Sequence, residues 1–177
     1  MSAEMIRQIE HSMMYLATFS RSYYSFCALW DRLGQLDEGT GYFFPFRSIC
    51  NALLCDAAIS WCKVFGSNTE ETHWKAVVGD EQRFRELLFR QLNVTDKEFK
   101  AYWQEMTNFR NKIVAHFDSD HFSKGITPSF ELAMKSSAIA HRYLREEFPR
   151  NVNYTGPKCL DDYGRKVASL VVSKLMV

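Results

Sequence analysis

The sequence predicts an all-α fold, and three observations carry that prediction. Apolar residues recur three or four positions apart along nearly the whole chain, which is helical spacing. No run of β-branched residues alternates with polar ones, as strands require. Only 8 glycines and 4 prolines occur among 177 residues, so few positions interrupt long helices. We therefore expect an up-and-down bundle of four long helices with one or two shorter helices.

The first quarter of the chain predicts one long helix, and a second follows it. An apolar stripe advances in steps of three and four over residues 5–33, and Gly34 follows as a natural helix stop. After a glycine-containing loop, Pro45 is expected to open the second helix, because its missing N–H is not needed in a first turn. This helix should end at Gly66.

Two helices with recognisable caps come next. Asp80 can cap a helix over residues 81–91. Thr95 and Glu98 have the spacing of a capping box, which predicts the start of another helix. Apolar residues continue along that helix as far as Phe117, where a polar loop begins.

The last third of the chain predicts two more helices. One proline in the first turn and another just past the end delimit a helix over residues 128–148. Residues 150–160 read as a loop, and the C-terminal helix over 161–176 is expected to pack on the bundle. A chain of this length can bury a self-sufficient core, so we predict a single domain over residues 1–177.

Charge and hydropathy exclude several classes of protein. The 22 Lys and Arg against 21 Asp and Glu give a net charge of +1, which excludes a protein that coats duplex DNA through bulk charge. No short apolar block resembles a signal peptide. The apolar stretch over residues 12–30 carries Arg21 at its centre and predicts a soluble core helix. We expect a cytoplasmic protein with no membrane partner.

The five cysteines do not predict a disulfide framework. Cys50, Cys55 and Cys62 fall in one predicted helix, roughly 7–18 Å apart along its axis, whereas bridged Cα atoms normally lie within about 7 Å. We interpret them as small buried apolar side chains in a reducing compartment. No cysteine or histidine spacing indicates zinc, and we expect no cofactor and no metal.

The most specific local pattern is the string Phe-Arg-Asn-Lys-Ile-Val-Ala-His-Phe-Asp over residues 109–118, at the end of a long predicted helix. Arg110, Asn111 and Lys112 place two cations and an amide on one turn. His116 follows about one and a half turns later.

This string resembles the signature of the HEPN superfamily (higher eukaryotes and prokaryotes nucleotide-binding domains). That signature is an Arg, usually followed by a polar residue, then four to six residues and a His near the end of a bundle's long helix. Arg110 and His116 are separated by five residues. The string is most similar to a branch linked to abortive infection of phage-attacked bacteria. The helix leading to Phe65 and Gly66 resembles the corresponding helix of that branch.

The resemblance implies a fold, an activity and partners. Active HEPN proteins are metal-independent endoribonucleases that act as dimers, with two Arg/His motifs lining a cleft at the two-fold axis. By this resemblance, Arg110, His116 and Asn111 are catalytic and Lys112 contacts RNA. The implied partners are RNA, a second copy of the chain and, for a toxin, an antitoxin protein. Related toxins neutralised by a nucleotidyltransferase carry a Tyr where this chain has Asp118, so that route is not expected here.

The residue types suit RNA cleavage on chemical grounds. A neutral imidazole with a pKa near 6.5 can take the proton of a ribose 2′-OH, and an imidazolium can protonate the leaving 5′-oxygen. A guanidinium fork matches two non-bridging phosphate oxygens and stabilises the charge that develops during attack. The amide of Asn111 can orient the phosphate or His116. The expected product is a 2′,3′-cyclic phosphate.

Helix geometry constrains this site. Six residues at about 100° each place Arg110 and His116 about 120° apart around an unbroken α-helix. Either the helix loosens before His116, or one site takes its Arg from one subunit and its His from the other. Both arrangements favour a dimer.

A structural interpretation remains open beside the catalytic one. Arg110 could form a salt bridge across the bundle, for example to Asp56, and His116 could be a half-buried core histidine near a helix C-terminus. The chain would then be an inert bundle that binds RNA or a protein partner. A weaker candidate is a divalent-metal site formed by His116, Asp118, Asp120 and His121. The arginines at 83, 85 and 90 are interpreted as a solvated helix face.

Overall fold

The computed structural model describes residues 1–35, 39, 41, 43–115 and 127–175. Every regular element in these ranges is helical, which confirms the all-α prediction. The predicted polar loop and His116 lie outside the described residues.

The described residues form seven α-helices, and a π-helical segment over Arg110–Ala115 directly continues the fifth of them. Five helices have 14 or more residues and two are shorter, against the four long and one or two shorter helices predicted. In chain order the α-helices are α1 (Ala3–Leu33), α2 (Phe43–Phe65), α3 (Trp74–Val77), α4 (Glu81–Leu92), α5 (Asp96–Phe109), α6 (Glu131–Glu147) and α7 (Leu160–Leu175).

The predicted N-caps of α4 and α5 are confirmed. The Asp80 side chain accepts a hydrogen bond from the backbone N–H of Arg83 at 2.9 Å. The Thr95 hydroxyl accepts from the backbone N–H of Glu98 at 3.3 Å, and the Glu98 carboxylate accepts from the backbone N–H of Thr95 at 2.7 Å. These bonds satisfy N–H groups that a helix start otherwise leaves unpaired, so both starts are set locally.

Two helix starts differ from prediction. α2 begins at Phe43, so Pro45 lies within its first turn rather than opening it. α6 begins at Glu131, three residues later than predicted. The reason is tertiary, because the Tyr102 hydroxyl donates to the carbonyl of Ser129 at 2.7 Å and accepts from the backbone N–H of Ala133 at 3.1 Å.

α1 is the central helix of the fold, and α2 and α7 pack along it. The approach of α7 is very close at Gly164, where a Cβ atom would lie 2.2 Å from the ring of Tyr24. The Ser20 hydroxyl donates to the carbonyl of Leu160 at 2.6 Å across the same contact. The C-terminal helix therefore packs on α1 through small residues at this contact, and further along Val171 and Val172 pack against a second apolar cluster that includes Leu29 and Leu33. Leu170 of the same helix is 54% exposed.

α2 is the one helix among the described residues that is long and apolar enough to cross a membrane, judged by length and composition. Its most apolar window has a mean hydropathy of 1.3 and is 44% buried inside the fold. The buried side includes Trp61, Cys62 and Phe65, which pack in the main core. This side of α2 faces α5 and the π-helical segment, which together carry residues 109–115 of the motif.

Candidate functional site

α5 has two different faces, and the motif continues from its end. Phe99, Tyr102, Met106 and Phe109 are buried in the main core at steps of three and four residues. The opposite side of the helix carries polar residues at the same helical spacing. The burial of the first face determines which way the second face points.

Two ring side chains fix α5 against its neighbours. The Tyr102 hydroxyl bridges Ser129 and Ala133 at the start of α6. The indole N–H of Trp103 donates to the carbonyl of Phe65 at 2.7 Å and is also within 3.1 Å of the Gly66 carbonyl. α5 is thereby held at both α6 and the C-terminus of α2, so the residues after Phe109 have a defined starting point.

Gly66 makes the close turn at the end of α2. Its backbone N–H donates to the carbonyl of Cys62 at 2.9 Å. A Cβ atom at Gly66 would lie 2.3 Å from that same carbonyl oxygen, a distance that real side chains do not tolerate. The chain therefore leaves the helix directly beside Trp103, and the following loop lies over α5.

An open groove of about 760 Å³ lies between this loop and α5. One wall is formed by residues 66–69, and the other by the polar side of α5 and the first turn of the π-helical segment. We call it the Arg110 groove. Its described lining has no Asp or Glu, and Arg110 is the one charged residue in that lining; the lining residues are Gly66, Ser67, Asn68, Thr69, Trp103, Gln104, Thr107, Asn108, Arg110 and Asn111.

Arg110 has an unsatisfied hydrogen-bond donor. Its Nε is buried and has no hydrogen-bond partner within the described part of the chain. The alternative of a salt bridge to Asp56 is not seen there, since the carboxylate of Asp56 accepts from the Ser22 hydroxyl at 2.5 Å. An unpaired buried donor on a cation is costly. Since Arg110 lines the groove and forms no ion pair among the described residues, its guanidinium can contact an anionic ligand that enters there.

Cys62 lies close enough to Arg110 to feel its charge. Burial raises the pKa of the Cys62 thiol to about 11, and the positive charge of Arg110 opposes this shift only partly. The thiol is therefore protonated at neutral pH and is not a nucleophile. This agrees with the interpretation of Cys62 as a small buried side chain, which also holds for Cys50, whereas Cys55 is only partly buried.

The helix widens where the motif begins. Residues 110–115 are π-helical, so the backbone hydrogen bonds span five residues instead of four. The angle of about 120° calculated for an unbroken α-helix does not apply across such a segment. A helix that loosens ahead of His116 is one of the two arrangements that the spacing allows, and the segment up to Ala115 is loosened in this way. π-helical turns occur frequently at functional sites.

The structure brings some of the sequence-predicted residues together. Arg110 and Asn111 both line the groove, and Lys112 is exposed on the same turn. His116 and the three other residues of the weaker metal candidate, Asp118, Asp120 and His121, lie outside the described residues. In the part that is described, no group of three or more His, Cys, Asp or Glu could hold a metal ion.

Sequence reasoning missed the remaining polar lining of the groove. Gln104, Thr107 and Asn108 precede the motif on α5, at the i, i+3 and i+4 spacing of one helix face. Short polar side chains opposite a buried face are ordinary on solvated helices, so the pattern alone does not indicate a site. The loop over residues 66–69, some forty positions away in sequence, turns this face into a groove wall.

No family model, curated protein or solved structure matches this chain. Function is therefore inferred from its own residues and from the resemblance of its motif.

Proposed function

We propose that the chain is a HEPN-type, metal-independent endoribonuclease, active as a homodimer in the cytoplasm, in phage defence or as a toxin. We also propose that its helices form the up-and-down bundle of that superfamily. Where the chain acts as a toxin, an antitoxin protein would bind it. One observation supports the proposal above others: Arg110, whose buried Nε has no hydrogen-bond partner among the described residues, lines a groove whose described lining has no carboxylate. A phosphodiester anion would complete this site.

The groove is better suited to bind a phosphate anion than an Asp or Glu side chain of the protein. The guanidinium fork of Arg110 can bind two non-bridging oxygens at once. Amide groups of Gln104, Asn108 and Asn111 line the same space and can donate to phosphate oxygens or to the 2′-OH. Arg110 would carry the charge stabilisation, and Asn111 would orient the phosphate or His116. The exposed Lys112 would add a cationic contact to the RNA.

His116 supplies proton transfer in this proposal. Its neutral imidazole takes the 2′-OH proton, the 2′-oxygen bonds to phosphorus, and the bond from phosphorus to the 5′-oxygen breaks. An imidazolium, from the same motif or from the second copy, returns a proton to the 5′-oxygen. The products are a 2′,3′-cyclic phosphate and a 5′-hydroxyl, so no water, metal or cofactor enters the cleavage step.

Cleavage of total RNA in EDTA, followed by end-group analysis, tests this function. The wild type should release 2′,3′-cyclic phosphate and 5′-hydroxyl ends, and His116→Ala should cut about 10²–10⁴-fold more slowly. His11→Ala is the matched control, because His11 is exposed on α1. Loss of cleavage in EDTA, or full activity in His116→Ala, would contradict the proposal. A wild type that binds RNA without cutting it would instead support an inert binding bundle.

A further inference from the structure

A second groove adjoins the Arg110 groove on the far side of Trp103. It has a volume of about 280 Å³ and shares Gly66, Asn68 and Trp103 with the first. We call it the aromatic groove. Its distinctive side chains are the cations Lys75, Arg85 and Lys100, the anion Asp96, and the rings of Phe89 and Trp103.

The two grooves follow one face of α5. Lys100, Trp103 and Arg110 are separated by three and seven residues, which keeps them on the same side of a helix. Lys100 lies about 15 Å from Arg110 along the helix axis. A ligand chain that binds Arg110 and extends along this face therefore reaches Lys100 after passing Trp103.

The aromatic groove has an excess of positive charge. Arg85 forms an ion pair with Asp96, and its guanidinium also lies 5.5 Å from the ring centre of Phe89. Lys75 and Lys100 are exposed, and neither has a carboxylate partner within the described residues. The Lys75 ammonium lies 5.6 Å from the ring centre of Trp74, a contact that does not neutralise its charge, so both ammonium groups can contact phosphates. Arg85 is exposed, as the solvated helix face predicted from the sequence requires, and it also lines this groove.

Trp103 presents a fixed ring between the two grooves. Its indole N–H is held by the carbonyls of Phe65 and Gly66, so the ring has little freedom to rotate. The side chain is only half-buried and lines both grooves. A flat aromatic surface beside free cations is the combination that unpaired nucleobases recognise by stacking.

From these contacts we infer that the aromatic groove binds the nucleotides flanking the scissile phosphate, with one base against Trp103 and the backbone against Lys75 and Lys100. This rests on the proposed function and specifies its substrate class as single-stranded RNA. In a duplex the bases are already stacked and paired, so they cannot lie against Trp103 without being unpaired first.

Binding of a fully 2′-O-methylated, fluorescein-labelled single strand tests this inference, because that strand lacks the attacking 2′-OH and cannot be cut. Its affinity is measured by fluorescence anisotropy at several salt concentrations. In Lys75→Ala/Lys100→Ala the affinity should fall, and the slope of log K against log salt should become shallower by about 1.4 for two lost phosphate contacts. Lys166→Ala/Lys174→Ala, on α7, is the matched control and should match the wild type.

Trp103 is tested with two substitutions. Trp103→Ala should weaken binding about 5- to 150-fold through loss of stacking, and Trp103→Phe, which keeps an aromatic face, should recover much of the affinity. Thermal unfolding of both variants checks that they are folded. Equal binding by Trp103→Ala and the wild type would overturn the stacking contact.

The outcomes separate this inference from the nuclease proposal. A wild type that cuts RNA, with binding and salt slope unchanged in the Lys75/Lys100 variant, overturns the subsite and leaves the nuclease intact. Duplex RNA bound as tightly as the single strand also overturns it. Single-strand binding that depends on Lys75 and Lys100, with no cleavage of ordinary RNA, supports the subsite and contradicts the nuclease.

Discussion

The core face of α5 and the groove beside its C-terminal end differ in whether their buried polar groups have hydrogen-bond partners. On the core face, the one hydroxyl that enters the interior, that of Tyr102, both donates and accepts a hydrogen bond. Arg110, which lines the groove just past the end of α5, has a buried Nε without a hydrogen-bond partner among the described residues, although it belongs to a cation. The described residues also contain buried polar atoms without a partner at Ser137, Tyr143 and Asp161, but among these four residues only Arg110 is a cation that lines a groove. The difference indicates that the core face holds the helix in place and that the groove face is available for a ligand.

The largest stability effect should come from the core face. Met106 is fully buried, so Met106→Ala should leave a cavity and lower the free energy of unfolding by about 2–5 kcal/mol. Urea unfolding measures this change. RNA cleavage per folded molecule should stay close to that of the wild type, because Met106 does not line the groove. A large loss of cleavage by folded Met106→Ala would contradict the claim that the core face serves stability and the groove face serves ligand binding.

Protonation of the buried His141 in α6 should lower the free energy of unfolding by a somewhat smaller amount. It extends the comparison to a buried polar group outside α5. His141 is 2% exposed, and its Nε2 lies 3.0 Å from the Tyr154 hydroxyl. Burial, with a smaller contribution from the charge of Arg145, lowers the pKa of His141 to about 4. The unfolded chain, with a pKa near 6.5, therefore binds this proton more readily. The stability that neutral His141 gives is complete above about pH 6.5 and is lost as pH falls toward 4.

Urea unfolding between pH 7 and pH 4 measures this loss. His141 should account for a decrease of at most about 3 kcal/mol across that window. In His141→Gln the decrease should be smaller, because the buried imidazole that titrates there is gone. It should not vanish, because His73, another buried histidine among the described residues, has a pKa lowered by burial to about 4 and still contributes. A wild type and a His141→Gln variant with the same pH profile would show that His141 titrates normally in the fold.

Local sequence signals predicted most of the helices. The capping box at Thr95 and Glu98, the Asp80 cap and the stop at Gly34 all act within a few residues, so sequence alone contains them. The start of α6 could not be read this way, because a hydroxyl some thirty residues earlier, that of Tyr102, holds the chain before Glu131.

The candidate site was predicted only in part, for the same physical reason. Arg110 and Asn111 follow from the motif, but the groove depends on residues 66–69 lying over α5, and this contact joins distant segments. The π-helical turn at Arg110 was one of two arrangements that the spacing allowed. The aromatic groove combines residues of four helices, and no local pattern brings Lys75 and Lys100 together.

The most direct test of the account compares cleavage and stability in one variant, Arg110→Ala, with Arg90→Ala, an exposed arginine of α4, as control. Because the Nε of Arg110 has no hydrogen-bond partner among the described residues, its removal deletes no hydrogen bond there and should not lower the free energy of unfolding by more than about 1 kcal/mol. RNA cleavage should fall at least about 100-fold, since the phosphate loses its guanidinium. A strongly destabilised Arg110→Ala whose folded fraction still cuts RNA at the wild-type rate would contradict the account.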